Sequence, residues 1–204
     1  MLLKSKFFNV KKTNVKNKKM PDKIRCTWCE SSKLYKDYHD NEWGKPVYDD
    51  AVFFEFMVLE AFQAGVSWKL ILNKRENFRK AFDNFDCQKI SNYNDDKILE
   101  LIEDSGIIRN KLKIYATVTN AQNFIKIQNE FGSFSNYIWA FVDNKPIVNV
   151  PIKHSDVPAF TSLSDKISKD LKKRGIKFFG SLVTYAFLQA TGIVDDHIVD
   201  CDFK

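Results

Sequence analysis

Cysteine and histidine side chains near the two ends of the chain have the chemistry of a metal site. Cys26 and Cys29 form a Cys-x2-Cys pair, and His39 follows ten residues later. His197 and Cys201 stand four positions apart, a spacing that brings two ligands to one side of a helix or turn. Two thiolates and two imidazoles satisfy tetrahedral zinc. Free cysteines and surface histidines explain the same spacing equally well, so both interpretations stay open at this point.

Glu60 is an acidic residue near the end of a very apolar stretch. Between Ala51 and Phe62 every residue is apolar except Glu55 and Glu60. A helix that is apolar nearly all round is buried, and a buried carboxylate without a partner costs several kcal/mol. Glu60 therefore indicates a functional pocket, unless it pairs with a basic side chain or accepts backbone hydrogen bonds.

Aromatic residues cluster along the chain on either side of this acid. Their flat faces could stack on a planar ligand, although aromatic residues in loops are also ordinary core. The cluster comprises Trp28, Tyr35, Tyr38, Trp43 and Trp68.

A basic segment between two helical patterns is a candidate phosphate site. Residues 171–180 read Leu-Lys-Lys-Arg-Gly-Ile-Lys-Phe-Phe-Gly. Backbone N–H groups at the start of the second helix suit a phosphate, and the lysines and arginine add positive charge. A solvated basic helix face that ends in a glycine cap has the same pattern.

The net charge of +6 is unevenly distributed. Residues 1–25 hold nine basic residues and one acid, so they carry +8 and the remaining 179 residues carry −2. Bulk charge therefore does not make the body of the chain a nucleic-acid binder. We predict an N-terminal extension, residues 1–22, without fixed structure: a transit peptide, a nuclear signal, a DNA-tethering arm or a misassigned start.

The remaining composition restricts the class of protein. No apolar run reaches the roughly 20 residues of a membrane span, and no signal peptide is recognisable. Four cysteines in 204 residues are too few for a disulfide scaffold. We expect an intracellular protein that is not secreted and not bound to membranes: cytoplasmic in a bacterium, nuclear or organellar in a eukaryote.

The elements that must position these residues are helices. Apolar periodicity predicts helices from Asp50 to about Ala64, over 77–82, 95–104 and 111–130, around 134–142, after Ser164, and over 181–190. Residues 24–48 are expected to be irregular. The short gaps and the absence of alternating strands favour a compact all-α domain over residues 23–204.

Five strings together resemble the 3-methyladenine DNA glycosylase I family. In order they are Tyr-His-Asp-Asn-Glu-Trp-Gly at 38–44, Leu-Glu at 59–60 with Gln-Ala-Gly-Val-Ser-Trp at 63–68, Lys-Arg-Glu-Asn at 74–77, Gly-Ile-Ile-Arg at 106–109, and the basic segment at 172–180. The likeness runs from about Arg25 to Cys201.

The resemblance implies a helix-hairpin-helix DNA glycosylase fold with one structural Zn²⁺ that joins the N- and C-terminal segments. The implied zinc ligands are Cys26, His39, His197 and Cys201, with Cys29 as an additional cysteine beside them. The implied base pocket uses Glu60 as hydrogen-bonding acid, Tyr38 and Trp68 as stacking residues, and Trp28 and Trp43 as walls. The implied DNA contacts are Arg174, Gly175, Lys177 and Gly180 in the hairpin and Gly65 and Val66 beside the gap left by a flipped nucleotide.

The implied activity is base-excision repair by a monomer acting on double-stranded alkylated DNA. Hydrolysis of the N-glycosidic bond would release 3-methyladenine and leave an abasic site. The alternative is a non-catalytic, zinc-stabilised DNA-damage-binding module, which would not need Glu60 in an aromatic slot. A thiol redox protein built on Cys26 and Cys29 would require a βαβ pattern that the sequence lacks. Asp195 and Asp196 receive no catalytic role.

Overall fold

The computed structural model describes residues 23–204, so the predicted extension over residues 1–22 lies outside the described part of the chain. The described part contains nine α-helices, four short 3-10 turns and one pair of two-residue strands. The elements are α1 (Lys33–Asn41), α2 (Asp50–Gln63), α3 (Trp68–Ala81), α4 (Cys87–Ile90), α5 (Asp95–Glu103), α6 (Lys111–Phe131), α7 (Phe134–Trp139), β1 (Ile147–Val148), α8 (Ser162–Lys173), α9 (Ser181–Ala190) and β2 (Val194–Asp195).

Polar caps fix where most of these helices begin. Their side-chain oxygens accept a hydrogen bond from a backbone N–H of the first turn, which has no partner within the helix. Asp49 caps α2 as the sequence predicts, and Ser67, Asn94 and Asn110 do the same for α3, α5 and α6.

Helix α2 lies at the centre of the core and explains its own composition. It packs against α3, α6, α7 and α9. Phe53, Phe54, Phe56 and Phe62 have at most 1% of their surface exposed. Because α2 is covered on nearly every side, it needs no polar face, and Glu60 is carried into the interior with it.

Three sequence expectations about the helices are wrong in detail. Residues 24–48 are not irregular throughout, since they contain α1, which Ser32 caps. The short helix predicted from Asn77 begins nine residues earlier, at Trp68. The cap of α8 is Thr161 rather than Ser164, whose side chain instead accepts from the Thr161 N–H. Helices α1 and α3 carry many polar side chains, which conceal their apolar period from a sequence pattern.

The two ends of the described chain meet. The Ile24 N–H donates to the Asp202 carboxylate at 2.7 Å, and the Asp202 N–H donates to the Ile24 carbonyl at 3.0 Å. Near them β1 and β2 pair in parallel, with Ile147 opposite Val194. The predicted helical domain is thus confirmed, with this strand pair added to it. In residues 23–204 no helix is long and apolar enough to cross a membrane.

Candidate active site and metal centre

A cavity of about 240 Å³ opens between the ends of α1, α2, α3 and α9. It brings together all five residues that the sequence predicts for a base pocket. The lining residues are Trp28, Tyr35, Tyr38, Trp43, Glu60, Gln63, Trp68, His154, Ala186 and Gln189.

Aromatic rings form most of the cavity wall. The ring centroids of Tyr38 and Trp68 are 5.4 Å apart, and those of Trp28 and Trp43 are 5.0 Å apart. The indole N–H groups of Trp28 and Trp68 are buried and have no hydrogen-bond partner among residues 23–204. The wall therefore offers flat apolar faces together with two unused donors, which suits a planar heterocycle.

Glu60 is a buried acid without the partner that a purely structural role would require. Its side chain is 3% exposed, and within the described part of the chain its Oε2 accepts no hydrogen bond. Burial raises the pKa of Glu60 to about 8. By contrast, Glu55 on the same helix is paired with Arg75 and Arg79. A buried, unpaired acid in a concave site marks a functional group.

The turn after Glu60 is fixed from behind by a lysine that sequence reasoning missed. Lys113 is buried, and its ammonium donates to the carbonyls of Phe62 at 3.1 Å and Ala64 at 2.7 Å. It thereby satisfies carbonyls that the end of α2 leaves without helical partners. Beyond this anchor, the Gly65–Val66 turn lies next to Gln63, which lines the cavity.

Three of the four predicted metal ligands converge. The ligand atoms of Cys26, His39 and Cys201 lie within 4.8 Å of one another, and all three residues are buried. The cluster joins the N-terminal segment to the C-terminal tail, as predicted. Burial raises the pKa of the Cys26 thiol. A bound cation would offset the cost of the thiolate, so this donor set is compatible with a metal ion.

His197 lies beside the triad with its free nitrogen unused. Its ring centroid is 4.9 Å from that of His39, and its buried Nε2 has no partner among the described residues. The opposite nitrogens of the two rings are held by carboxylates. Asp40 lies 2.8 Å from His39 Nδ1, and Asp195 lies 2.7 Å from His197 Nδ1. Carboxylates that orient histidines in this way are usual around metal ions, and the sequence did not reveal either one.

Two neighbouring residues clarify the predicted ligand set. The Cys29 thiol donates to the Cys26 carbonyl at 3.1 Å and is not part of the triad. Gly44 adopts φ +73°, and a Cβ there would lie 2.7 Å from the His197 ring. The glycine that ends the Tyr-His-Asp-Asn-Glu-Trp-Gly string is therefore required by the close approach of His197.

The predicted hairpin is formed by α8, α9 and the turn between them. Gly175 adopts φ +88° and donates its carbonyl oxygen as acceptor to Asn123 at 3.1 Å. Asn120 bonds both the N–H and the carbonyl of Lys177, at 2.8 and 3.0 Å. Gly180 leads into α9 without a side-chain cap, which leaves the first N–H groups of that helix for a ligand.

The cations of the hairpin are not equivalent. Lys169, Lys172 and Lys177 line a groove of about 780 Å³ beside the turn. Arg174, which the sequence predicts as a DNA contact, is instead paired with Glu130 and Asp170, each with one contact of 2.7 Å. Its DNA role stays a prediction, and its observed contacts attach the hairpin to α6.

Sequence reasoning missed several cavity residues. Gln63, Ala186 and Gln189 have no distinctive spacing, because they converge only when α2 and α9 pack together. His154 was interpreted as a solvated loop residue without a partner. It is exposed, but it lies at the rim of the cavity.

Comparisons with known proteins agree with this geometry. The family model described as methyladenine glycosylase matches residues 28–204. DNA-3-methyladenine glycosylase 1 of Escherichia coli (strain K12) is 43% identical over 177 residues, which are 87% of this chain and 95% of that protein. DNA-3-methyladenine glycosylase of Haemophilus influenzae is 44% identical over 180 residues, 88% of this chain and 97% of that protein. A solved structure of a variant of 3-methyladenine DNA glycosylase I in complex with 3-methyladenine superposes with a TM-score of 0.86. It is 34% identical and covers 88% of this chain and 97% of that one.

Proposed function

This chain belongs to the methyladenine glycosylase family, and we propose that the aromatic cavity around Glu60 is where it excises the damaged base. Its activity is that of a 3-methyladenine DNA glycosylase I, which acts in base-excision repair of alkylated DNA. The observation that carries the assignment of the site is the buried Glu60 carboxyl, unpartnered within residues 23–204, in a cavity walled by aromatic rings.

The chemistry of the lesion explains why this cavity suffices. Adenine methylated at N3 is cationic while it is attached to the sugar. When the C1′–N9 bond breaks, its electron pair neutralises the ring and water adds to C1′, so the base leaves without needing a proton from the protein. The enzyme has to flip the nucleotide out of the duplex, at a cost of a few kcal/mol, and hold the base.

The cavity residues supply that binding. The faces of Tyr38 and Trp68 attract a cationic ring, and Trp28 and Trp43 complete the wall. The empty cavity raises the pKa of Glu60 to about 8, and a cationic ligand would reverse that shift by favouring the carboxylate. Ionised Glu60 then accepts hydrogen bonds from the exocyclic amine. Undamaged adenine is neutral and gains neither effect.

The hairpin and the turn after α2 supply the DNA contacts in this proposal. Free N–H groups at Gly180 and the start of α9 would bind a backbone phosphate, with Lys177 and Gly175 beside them. The exposed Gly65–Val66 turn would occupy the space that the flipped nucleotide leaves. We propose that Arg174 contributes mainly by fixing the hairpin to Glu130.

We further propose that the metal is Zn²⁺, held by Cys26, His39, His197 and Cys201 in a structural role. Two thiolates and two imidazoles are a usual tetrahedral set, and the unpartnered Nε2 of His197 supplies the fourth donor to the observed triad. Cavity, triad and hairpin all come from a single chain, which supports action as a monomer.

Release of 3-methyladenine from alkylated duplex DNA by wild type and by Glu60→Gln tests the proposal. We expect release by wild type and a loss of at least about 100-fold in the variant, because its neutral amide cannot act as the acceptor for a cation. Wild-type protein that binds the DNA but releases no base would instead support the non-catalytic damage-binding module.

Metal analysis of two cysteine variants tests the ligand set. Cys26→Ser should lower the zinc content and the melting temperature, whereas Cys29→Ser should retain the metal, because Cys29 Sγ bonds a carbonyl outside the triad. Full zinc content in the Cys26 variant would contradict the assignment.

A further inference from the structure

The buried carboxylate of Asp196 is the strongest polar feature that the proposed function leaves unexplained. Asp196 is 2% exposed. It accepts from Tyr185 Oη, Gln189 Nε2 and Asn149 Nδ2, each at 2.7 Å. Of these partners only Gln189 lines the base cavity.

The contact with Asp196 determines which way the Gln189 amide faces. A carboxylate can only accept, so the amide must turn its NH₂ group toward Asp196. In the described part of the chain no donor bonds to Gln189 Oε1, and that oxygen is not among the polar atoms sealed from solvent. The oxygen is therefore the acceptor that Gln189 presents to the cavity.

The backbone of Gln189 is fixed as well. Its carbonyl accepts from the Gly44 N–H at 2.9 Å and from the Gly192 N–H at 3.2 Å. Because both ends of the residue are anchored, the position of the side-chain oxygen is set before a ligand arrives.

We infer that Gln189 selects adenine-type lesions by accepting a hydrogen bond from the exocyclic amine, and that Asp196 is the positioning residue that orients it. An adenine methylated at N3 and attached to DNA has N–H groups only on that amine. An acceptor in the cavity can therefore be satisfied only there. A guanine lesion presents a carbonyl oxygen at the same ring position, and two facing acceptors repel each other. This inference rests on the proposed function of the cavity.

One reaction mixture measures the selectivity. Duplex DNA treated with a methylating agent carries both 3-methyladenine and 3-methylguanine, and chromatography of the released bases gives their ratio. A loss of folded protein lowers both products equally, so the ratio reports selectivity alone.

Gln189→Ala should lower the ratio of released 3-methyladenine to 3-methylguanine by about tenfold, the size of one hydrogen bond. In Asp196→Asn the new side chain can donate to Gln189 Oε1, so the amide can rotate and present N–H to the cavity. That variant should raise 3-methylguanine release above the wild-type level. Gln128→Ala is the matched control, because it removes another 2.7 Å amide–carboxylate bond, to Asp50 at the opposite end of α2 from Glu60.

The outcomes separate the inference from the proposed function. A wild-type ratio in both Gln189→Ala and Asp196→Asn would overturn the inference while leaving the glycosylase assignment intact. Absence of 3-methyladenine release by the wild-type protein would overturn the proposed function itself. An equal change of the ratio in Gln128→Ala would show that the effect is not specific to Gln189.

Discussion

Replacing Glu60 by glutamine should change how the stability of the protein depends on pH. Burial raises the pKa of Glu60 from 4.5 to about 8 in the folded chain. The folded chain therefore binds this proton more tightly than the unfolded chain does. The free energy of unfolding contributed by Glu60 is fully present below the lower value and is lost as the pH rises through the higher one. Glu60→Gln has no such proton to lose.

The magnitude follows from the shift. At about 1.36 kcal/mol per pKa unit, a rise from 4.5 to about 8 corresponds to about 5 kcal/mol. Because the side chain is only 3% exposed, solvent screens this cost very little. We expect the variant to gain stability over wild type progressively between pH 5 and pH 8.5, by about 5 kcal/mol at the upper end.

Urea unfolding at several pH values in that range measures the difference. Glu103→Gln, which alters an exposed carboxylate on α5, is the control and should differ from wild type by a nearly constant amount. A constant difference between Glu60→Gln and wild type would refute the reasoning, since it would mean that the carboxyl group ionises as easily in the cavity as in water. Because the same variant is expected to lose base excision, stability and activity should move in opposite directions.

Three further predictions concern the surroundings of the cavity and the DNA. Lys113→Met should lower the free energy of unfolding by about 2 kcal/mol, because two carbonyls at the end of α2 lose a charged donor, whereas Lys111→Met at an exposed position of the same helix should change it little; equal losses in urea unfolding would contradict this. The double change Lys172→Ala and Lys177→Ala should lower the slope of log binding constant against log salt by up to about 2, one for each phosphate contact, and Lys80→Ala at the far end of α3 should leave it unchanged. Deleting residues 1–21, which are rich in lysine and hold no acid, should weaken DNA binding and reduce its salt dependence while base excision at saturating DNA persists; loss of excision there would refute this separation of roles.

The sequence predicts the parts of the molecule that depend on local patterns. Asp49 and the apolar run after it predict α2, and the long apolar period of 111–130 predicts α6, which extends to Phe131. The resemblance of five short strings to one family predicts the activity, which the comparisons confirm. These signals are local because caps and apolar periods act within a few residues of one another.

The parts that the sequence did not predict depend on tertiary contacts. Asp40, Asp195 and Lys113 bond groups that only the assembled fold brings to them, and Gln189 enters the cavity because α9 packs on α2. Helix α1 is equally hidden, since its buried residues Tyr38 and His39 face the cavity and the metal centre rather than an apolar core alone. Residue type and spacing carry no record of such partners.

The junction between the two ends of the chain has a consequence for how the protein is made. Cys26 and Cys201 are separated by 175 positions in a chain of 204 residues, yet both belong to the same buried triad. During synthesis the second cysteine is still inside the ribosomal exit tunnel when most of the helices can already fold. The triad can therefore form only after the chain is released. Metal capture would then report that translation was completed, and a prematurely terminated chain would keep its helices but remain open at both ends.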